Sequence, residues 1–174
     1  MENRKIRVGI THGDINGVGY EVILKTFSDP TMLELCTPVV YGSPKVAAYH
    51  RKAMEIQTSF SIVNSAEEVQ DGRVNVVNCI EEELKVELTK PTSEAGKTAL
   101  AALERALADY REGLFDVLVT APINKHTIQS DAFHFPGHTE YIEERVGEGQ
   151  KALMILLKGD FRVALVTGHV PVSY

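Results

Sequence analysis

The sequence places one histidine where an enzyme of the α/β class often puts its chemistry. His169 follows an apolar run that ends at Thr167, and it lies between Gly168 and Val170-Pro171. Side chains at the carboxyl ends of strands face the binding crevice of an open α/β sheet, and imidazole is a common metal ligand. An organised divalent-metal site usually takes three or more ligands, so one imidazole is only part of a site. We therefore predict that His169 binds a metal together with ligands outside this sequence; a structural histidine is the alternative.

A second candidate lies at residues 135–140, Phe-Pro-Gly-His-Thr-Glu. His138 and Thr139 immediately precede a predicted helix over residues 140–146, where free amides and the helix dipole favour an anion. A histidine and a hydroxyl at this point could hold a phosphate or a carboxylate. In the alternative interpretation, Thr139 only caps the helix and His138 is a solvated loop residue.

A glycine loop at residues 13–19, Gly-Asp-Ile-Asn-Gly-Val-Gly, lies between a predicted strand and a predicted helix. It is not a Walker loop, because no Lys-Ser or Lys-Thr follows the last glycine, and Val22 takes the place of the third glycine of a dinucleotide fingerprint. Two interpretations stay open. The loop amides could bind an anion, or Asp14 and Asn16 could stabilise a tight turn.

Other reactive side chains lack a ligand spacing. Lys125 follows the predicted strand at 117–120 and could face the crevice, although a solvated lysine is the commoner outcome. Two cysteines without a C-x-x-C spacing indicate buried thiols in a reducing compartment. No role is assigned to four further histidines: His12, His50, His126 and His134.

Short apolar runs alternate with helical patterns, which is typical of layered α/β proteins. Ser43-Pro44 predicts a helix start, because serine caps a free amide and proline lacks one. Two apolar runs at 152–157 and 161–166 are separated by three residues, which requires an antiparallel hairpin and so predicts a mixed sheet. The predicted strands cover residues 6–10, 39–41, 59–63, 74–77 and 117–120, and the predicted helices cover residues 20–27, 44–54, 94–111 and 140–146.

Composition restricts the classes of function. The 174 residues suffice for one domain, or for one domain and the start of another. The net charge of -6 offers no basic surface for nucleic acid. We expect no membrane partner and a cytoplasmic location, since no apolar run has the length of a signal peptide or a membrane span.

Four motifs occur in an order typical of one enzyme family. They are Thr11-x-Gly13-Asp14-x-x-Gly17-Val18-Gly19, Thr120-x-Pro122-x-x-Lys125, Phe135-x-Gly137-His138-Thr139-Glu140 and Thr167-x-His169-x-Pro171. Over its whole length the chain resembles the amino-terminal half of the 4-hydroxythreonine-4-phosphate dehydrogenases, the PdxA family of vitamin B6 synthesis. Family members commonly have Pro-Ala where this chain has Ile15-Asn16, and proline where it has Tyr20, so the detailed shape of the glycine loop is expected to differ.

The resemblance implies a layered α/β fold like that of isocitrate and isopropylmalate dehydrogenases, present here as a partial chain. It implies that residues 1–130 begin a discontinuous domain and that residues 131–174 begin a second one. It also implies a homodimer with its site at the subunit interface, with NAD and a divalent ion (Zn, Mg or Co) as cofactors. His138 and Thr139 would contact a phosphorylated amino-acid substrate, and His169 would be the first of three metal ligands.

The implied reaction is oxidation and decarboxylation of 4-phosphooxy-L-threonine to 3-amino-2-oxopropyl phosphate in pyridoxal 5'-phosphate synthesis. A related dehydrogenase of a phosphorylated sugar acid, such as 4-phospho-threonate, would look alike over these residues. A non-catalytic anion-binding module and an acyltransferase related by fold are alternatives of other classes. Because part of the site would be absent, the 174-residue chain by itself is expected to be inactive.

Overall fold

The structure is a computed structural model, and it describes residues 4–167. Within that range the predicted alternation of strands and helices is confirmed. The elements in chain order are β1 (Ile6–Thr11), α1 (Gly19–Thr26), α2 (Pro30–Leu35), β2 (Cys36–Gly42), α3 (Pro44–Ala53), β3 (Phe60–Val63), β4 (Val74–Asn78), α4 (Ser93–Arg111), β5 (Val117–Thr120), α5 (His138–Val146), β6 (Ile155–Lys158) and β7 (Phe161–Ala164).

The chain divides into two compact units, Met1–Pro136 and Gly137–Tyr174. The first contains β1 to β5 and α1 to α4, and the second contains α5 and the β6–β7 hairpin. Whether these units begin two domains of a longer, discontinuous arrangement stays a prediction.

Five parallel strands form the sheet of the first unit, in the order β3-β4-β2-β1-β5. Thr11, at the end of β1, is in register with Tyr41 of β2 on one side and with Thr120 of β5 on the other. Since parallel strands end at the same edge, the loops that carry the glycine motif and the Thr120 motif emerge side by side.

Alternating side chains of the sheet pack into two separate clusters, one on each face. Ile10 and Val40 pack with residues of α1 and α3 on one face, including Ile23 and Ala47. On the other face, a cluster that includes side chains of β2, β4 and α4 contains Val39, Tyr41, Val77, Ala102 and Ala106. Helices therefore cover both faces of the central strands, which accounts for their continuous apolar sequences.

The predicted antiparallel hairpin is confirmed, with Ile155 opposite Ala164 and Lys158 opposite Phe161. Its position in the fold corrects one expectation, because β6 and β7 form a two-stranded sheet of their own in the described part of the chain. The α/β class is confirmed, but the parallel and antiparallel strands lie in two sheets and do not form one mixed sheet. A connection of three residues fixes the direction of the two strands and does not determine which sheet they join.

Caps account for the helix starts, including one helix that the sequence analysis missed. As predicted, the Ser43 hydroxyl accepts a hydrogen bond from the Val46 amide, and Pro44 is the first residue of α3. The missed helix α2 has the same signal, since the Asp29 carboxylate accepts from the Thr31 amide and Pro30 follows it. The helix has only six residues, too few to show an apolar period.

Candidate functional site

The glycine loop between β1 and α1 packs directly against the loop that follows β5. Gly13 has a φ of +71°, and a Cβ atom there would lie 2.3 Å from the Pro122 carbonyl oxygen. The next amide, that of Asp14, donates to the same Pro122 oxygen at 2.9 Å. Only glycine fits this position, because the backbone is left-handed and has no room for a side chain.

Within the glycine loop, backbone amides donate hydrogen bonds that stabilise the turn. The Asp14 carboxylate accepts from the Asn16 amide at 2.8 Å, and the Asp14 carbonyl accepts from the Gly17 amide at 3.0 Å. These bonds form an Asx-type turn of the kind that stabilises a chain reversal. Of the two interpretations left open by the sequence, the geometry favours the structural turn over an anion cradle, because the amides of Asp14, Asn16 and Gly17 already have acceptors within the protein.

Asn16 joins the glycine loop to the irregular segment before α4. Its side-chain oxygen accepts from the Glu87 amide at 2.8 Å, and its side-chain nitrogen donates to the Lys90 carbonyl at 2.9 Å and to the Thr92 hydroxyl at 3.1 Å. Its own carbonyl accepts from the Thr89 amide. The turn interpretation expected Asn16 to stabilise the turn itself; its side chain instead bonds to the segment before α4, while the Asp14 side chain bonds within the turn.

Tyr20 lies buried between two histidine rings, edge-on to His12 and stacked with His50. Its ring centroid is 5.4 Å from that of His12 and 5.6 Å from that of His50. The phenol oxygen accepts from the Ser43 amide and donates to the Ser43 carbonyl, so it joins α1 to the start of α3. Burial raises the pKa of the Tyr20 hydroxyl, which is accordingly a neutral structural group.

Both of these histidines are hydrogen-bonded to backbone carbonyls. His12 Nε2 lies 3.1 Å from the Thr98 oxygen and His50 Nε2 lies 2.8 Å from the Ile15 oxygen, so each ring donates from Nε2. Burial lowers the pKa of His12 to about 4, which keeps that ring neutral. The sequence analysis assigned neither histidine a role, and their structural function could not be found from spacing because the partners lie 86 and 35 positions away.

The Thr120 motif forms a tight loop over the start of α4. Asn124 accepts from the amides of His126 and Thr127, and a Cβ at Gly96 of α4 would lie 1.8 Å from the Thr127 oxygen. Gly96 therefore permits close contact between the helix and this loop. Lys125 is exposed.

In the second unit, the two predicted substrate residues begin α5. The helix starts at His138, two residues earlier than predicted, and its N-cap is Gly137, which has no side chain to cap the first amides. Thr139 is therefore not the cap residue, and that alternative is wrong. His138 is partly buried and Thr139 is exposed. The His138 imidazole and the Thr139 hydroxyl therefore lie in the first turn of the same helix. That these two residues contact the substrate stays a prediction.

A groove lined by Thr139 also contains a pair of opposite charges, Glu143 and Lys151. Glu143 accepts from the Lys151 ammonium at 2.6 Å and from the Ala152 amide at 2.8 Å. These two bonds hold the pKa of Glu143 below its usual range, and the carboxylate raises the pKa of Lys151. Lys151 is thus bound to a carboxylate beside Thr139.

The predicted metal ligand, His169, lies outside the described residues. Among residues 4–167, no group of three or more His, Cys, Asp or Glu side chains could hold a metal ion. The described donor set therefore does not form a metal centre by itself. In the same stretch, no helix combines the length and apolar character required to cross a membrane.

Comparison with known proteins identifies the family. A family model for pyridoxal phosphate biosynthetic protein PdxA matches residues 34–174. The chain belongs to the PdxA family. The resemblance carried by the four motifs is thereby confirmed, and relatives of the chain are named dehydrogenases.

Three relatives illustrate how similar the chain is to known proteins. A 4-hydroxythreonine-4-phosphate dehydrogenase of Bacteroides thetaiotaomicron is 74% identical over 172 residues, which are 99% of this chain and 47% of the relative. A D-threonate 4-phosphate dehydrogenase of Cupriavidus necator is 30% identical, over 94% of this chain and 49% of the relative. A crystal structure of a 4-hydroxythreonine-4-phosphate dehydrogenase from Burkholderia phymatum has a TM-score of 0.85 at 27% identity, covering 98% of this chain and 52% of that one. The chain spans about half the length of the curated PdxA relatives it matches.

Proposed function

We propose that the full-length protein containing this chain oxidises and decarboxylates 4-phosphooxy-L-threonine to 3-amino-2-oxopropyl phosphate in pyridoxal 5'-phosphate synthesis. The 74% identity to a protein named 4-hydroxythreonine-4-phosphate dehydrogenase carries the proposal. The proposed enzyme uses NAD and a divalent metal ion, either Zn, Mg or Co. It is proposed to be a cytoplasmic homodimer with the site at the subunit interface.

His138 and Thr139 are proposed to bind the substrate. Both belong to the first turn of α5, whose N-cap residue, Gly137, makes no side-chain cap hydrogen bond. A helix start of this kind favours an anion through its amides and its dipole, and the Thr139 hydroxyl can donate a further hydrogen bond. The two residues would fix one end of a phosphorylated substrate and so orient its reacting carbon.

His169 is proposed to be one of the metal ligands, with the others supplied by residues outside this chain. Bound NAD would supply a hydride acceptor, and a bound divalent ion would supply stabilisation of negative charge on the substrate oxygen. An imidazole ligand suits Zn and Co better than Mg, which prefers oxygen donors. The role of the residues in this chain would be to bind and orient the substrate.

A second candidate is oxidation of D-threonate 4-phosphate. It is favoured by one observation, the 30% identity to a relative named for that activity. Both substrates carry the phosphate that the α5 start would bind, so this element does not distinguish them.

The experiment compares NADH formation by the purified full-length protein from the two substrates, with a divalent ion present. We expect 4-phosphooxy-L-threonine to give the higher kcat/KM. Preferred turnover of D-threonate 4-phosphate would replace the first proposal with the second. Binding of the phosphorylated ligand without any NADH would indicate a non-catalytic anion-binding module and would refute both.

A further inference from the structure

The groove lined by Thr139 contains one cationic side chain among its described residues, that of Lys151. The groove has a volume of about 270 Å³, and Ile142 and Val146 of α5 contribute apolar surface to it. Thr139, Glu143 and Lys151 contribute a hydroxyl, a carboxylate and an ammonium group. An anion that enters the groove can therefore pair with a single positive charge and with a hydroxyl.

The position of Glu143 on α5 brings the Lys151 ammonium close to Thr139. Thr139 and Glu143 are four positions apart in the helix, so their side chains share one face, with Cβ atoms about 5–6 Å apart. The Glu143 carboxylate holds the Lys151 ammonium at 2.6 Å. A phosphate has several acceptor oxygens that point in different directions, so one placed between the Thr139 hydroxyl and the Lys151 ammonium can accept from both.

Lys151 has hydrogen-bond donors available for a ligand. An ammonium group has three N–H donors, and Glu143 accepts from this one. The Lys151 side chain is 90% exposed, so an incoming ligand can reach the remaining donors. The second Glu143 oxygen accepts from the Ala152 amide, so both carboxylate oxygens are directed at residues 151 and 152. The carboxylate also raises the pKa of Lys151, which keeps the ammonium group charged.

We propose that Lys151 is a specificity-determining residue, which binds the phosphate group of the substrate together with Thr139. The inference rests on the proposed function, in which the start of α5 binds that phosphate. Glu143 does not touch the substrate in this arrangement; it is a positioning residue that holds the ammonium group near Thr139. Because a hydrogen bond between an ammonium and a phosphate is charge-assisted, Lys151 favours the phosphorylated hydroxy acid over its unphosphorylated counterpart.

Calorimetry with the full-length protein tests the role of Lys151. The Kd of 4-phosphooxy-L-threonine is measured with the divalent ion present and NAD absent, so that no turnover occurs. We expect Lys151→Gln to raise this Kd by about tenfold or more, since a hydrogen bond to a charged group is lost. Lys25→Gln is the control, because it removes another exposed lysine that is paired with a glutamate, Glu21 of α1. The Kd of the control should stay within about twofold of the wild-type value. An unchanged Kd in Lys151→Gln would overturn the proposal.

A second ligand and a second variant separate phosphate binding from a structural role. The ligand 4-hydroxy-L-threonine, which lacks the phosphate, should bind equally to the wild type and to Lys151→Gln. Lys151→Arg, which keeps the charge, should keep the Kd of the phosphorylated ligand within about threefold of the wild-type value. An equal loss of affinity for both ligands, or in both variants, would overturn the proposal.

The same measurements distinguish this proposal from the proposed function. Selective binding of the phosphorylated ligand that is lost in Lys151→Gln, without NADH formation by the wild type, would refute the dehydrogenase function and support the role of Lys151. Normal NADH formation with an unchanged Kd in Lys151→Gln would support the function and overturn the role of Lys151. A wild-type protein that binds neither ligand would overturn both.

Discussion

The Tyr20 hydroxyl forms two hydrogen bonds to the backbone of Ser43, accepting from its amide at 2.8 Å and donating to its carbonyl at 3.0 Å. One phenol group thus satisfies two buried polar atoms at the junction of β2 and α3. It also places a ring between His12 and His50. This residue of α1 is therefore bonded to the start of α3, and it packs against the ring of His12, which immediately precedes the glycine loop.

Replacing Tyr20 with phenylalanine should therefore destabilise the protein although the ring is kept. The change leaves the buried Ser43 amide and carbonyl without this partner, and we expect a loss of about 1–3 kcal/mol in the free energy of unfolding. Urea denaturation of the full-length protein measures it. Tyr110→Phe is the control, because that ring is 40% exposed, and its change should stay below about 0.5 kcal/mol. Equal effects of the two changes would contradict the assigned role.

Gly13 and Gly113 form a matched pair for separating backbone strain from crowding. Both have a φ of +71°, but a Cβ at Gly13 would lie 2.3 Å from the Pro122 oxygen, whereas nothing lies within 4 Å of one at Gly113. Gly113→Ala should lower the free energy of unfolding by about 1–2 kcal/mol, because alanine must adopt the left-handed conformation there. Alanine at Gly13 should cost at least about 2 kcal/mol more, since the two loops must separate. Similar urea midpoints for the two variants would show that the loops are not in tight contact.

His12 should make stability depend on pH in a defined window. Burial lowers its pKa in the folded protein to about 4, below the ordinary value of 6.5, so the unfolded chain binds a proton more readily. Above about pH 6.5 this group makes its full contribution to the free energy of unfolding. The contribution is lost as the pH falls towards 4, by roughly 3 kcal/mol in total. Unfolding free energies between pH 7 and 4.5 test this. His12→Gln, which keeps a donor for the Thr98 carbonyl, should flatten the slope, and an unchanged slope would refute the assignment.

Thr139→Val should weaken the proposed substrate site while the helix remains. The variant keeps the shape of the side chain and removes the hydroxyl, so a lost hydrogen bond to a charged phosphate should lower kcat/KM by about tenfold or more. Steady-state kinetics of the full-length enzyme measure the change. Thr26→Val is the control, because that hydroxyl is bonded to the Val22 carbonyl on an exposed helix surface. A normal kcat/KM in Thr139→Val would remove this residue from the substrate site.

The 174-residue chain by itself should show no dehydrogenase activity. It offers one proposed metal ligand, His169, and a divalent ion in an organised site usually needs three or more. NADH formation is compared with that of the full-length protein at equal concentration, with folding checked by circular dichroism. Activity comparable to the full-length protein would mean that the metal site is misplaced.

The sequence by itself determined the α/β class, the positions of most elements and the family, because these depend on local patterns. Alternating apolar runs and helical spacing predict the elements, Ser43-Pro44 predicts the start of α3, and four short motifs in order indicate the PdxA family. Each of these signals is contained in a few neighbouring residues, so no knowledge of distant contacts is required.

Only the tertiary structure decided what the glycine loop does. Asn16 bonds to residues more than 70 positions away and Tyr20 to one 23 positions away, and these partners show that both residues stabilise the loop. Only the tertiary structure likewise shows that His12 and His50 bond to distant backbone carbonyls. Their spacing in the sequence could not distinguish them from solvated histidines. The separate sheet of the β6–β7 hairpin is a further case. Contacts between distant segments depend on how the whole chain packs, and no local pattern of residues encodes that packing.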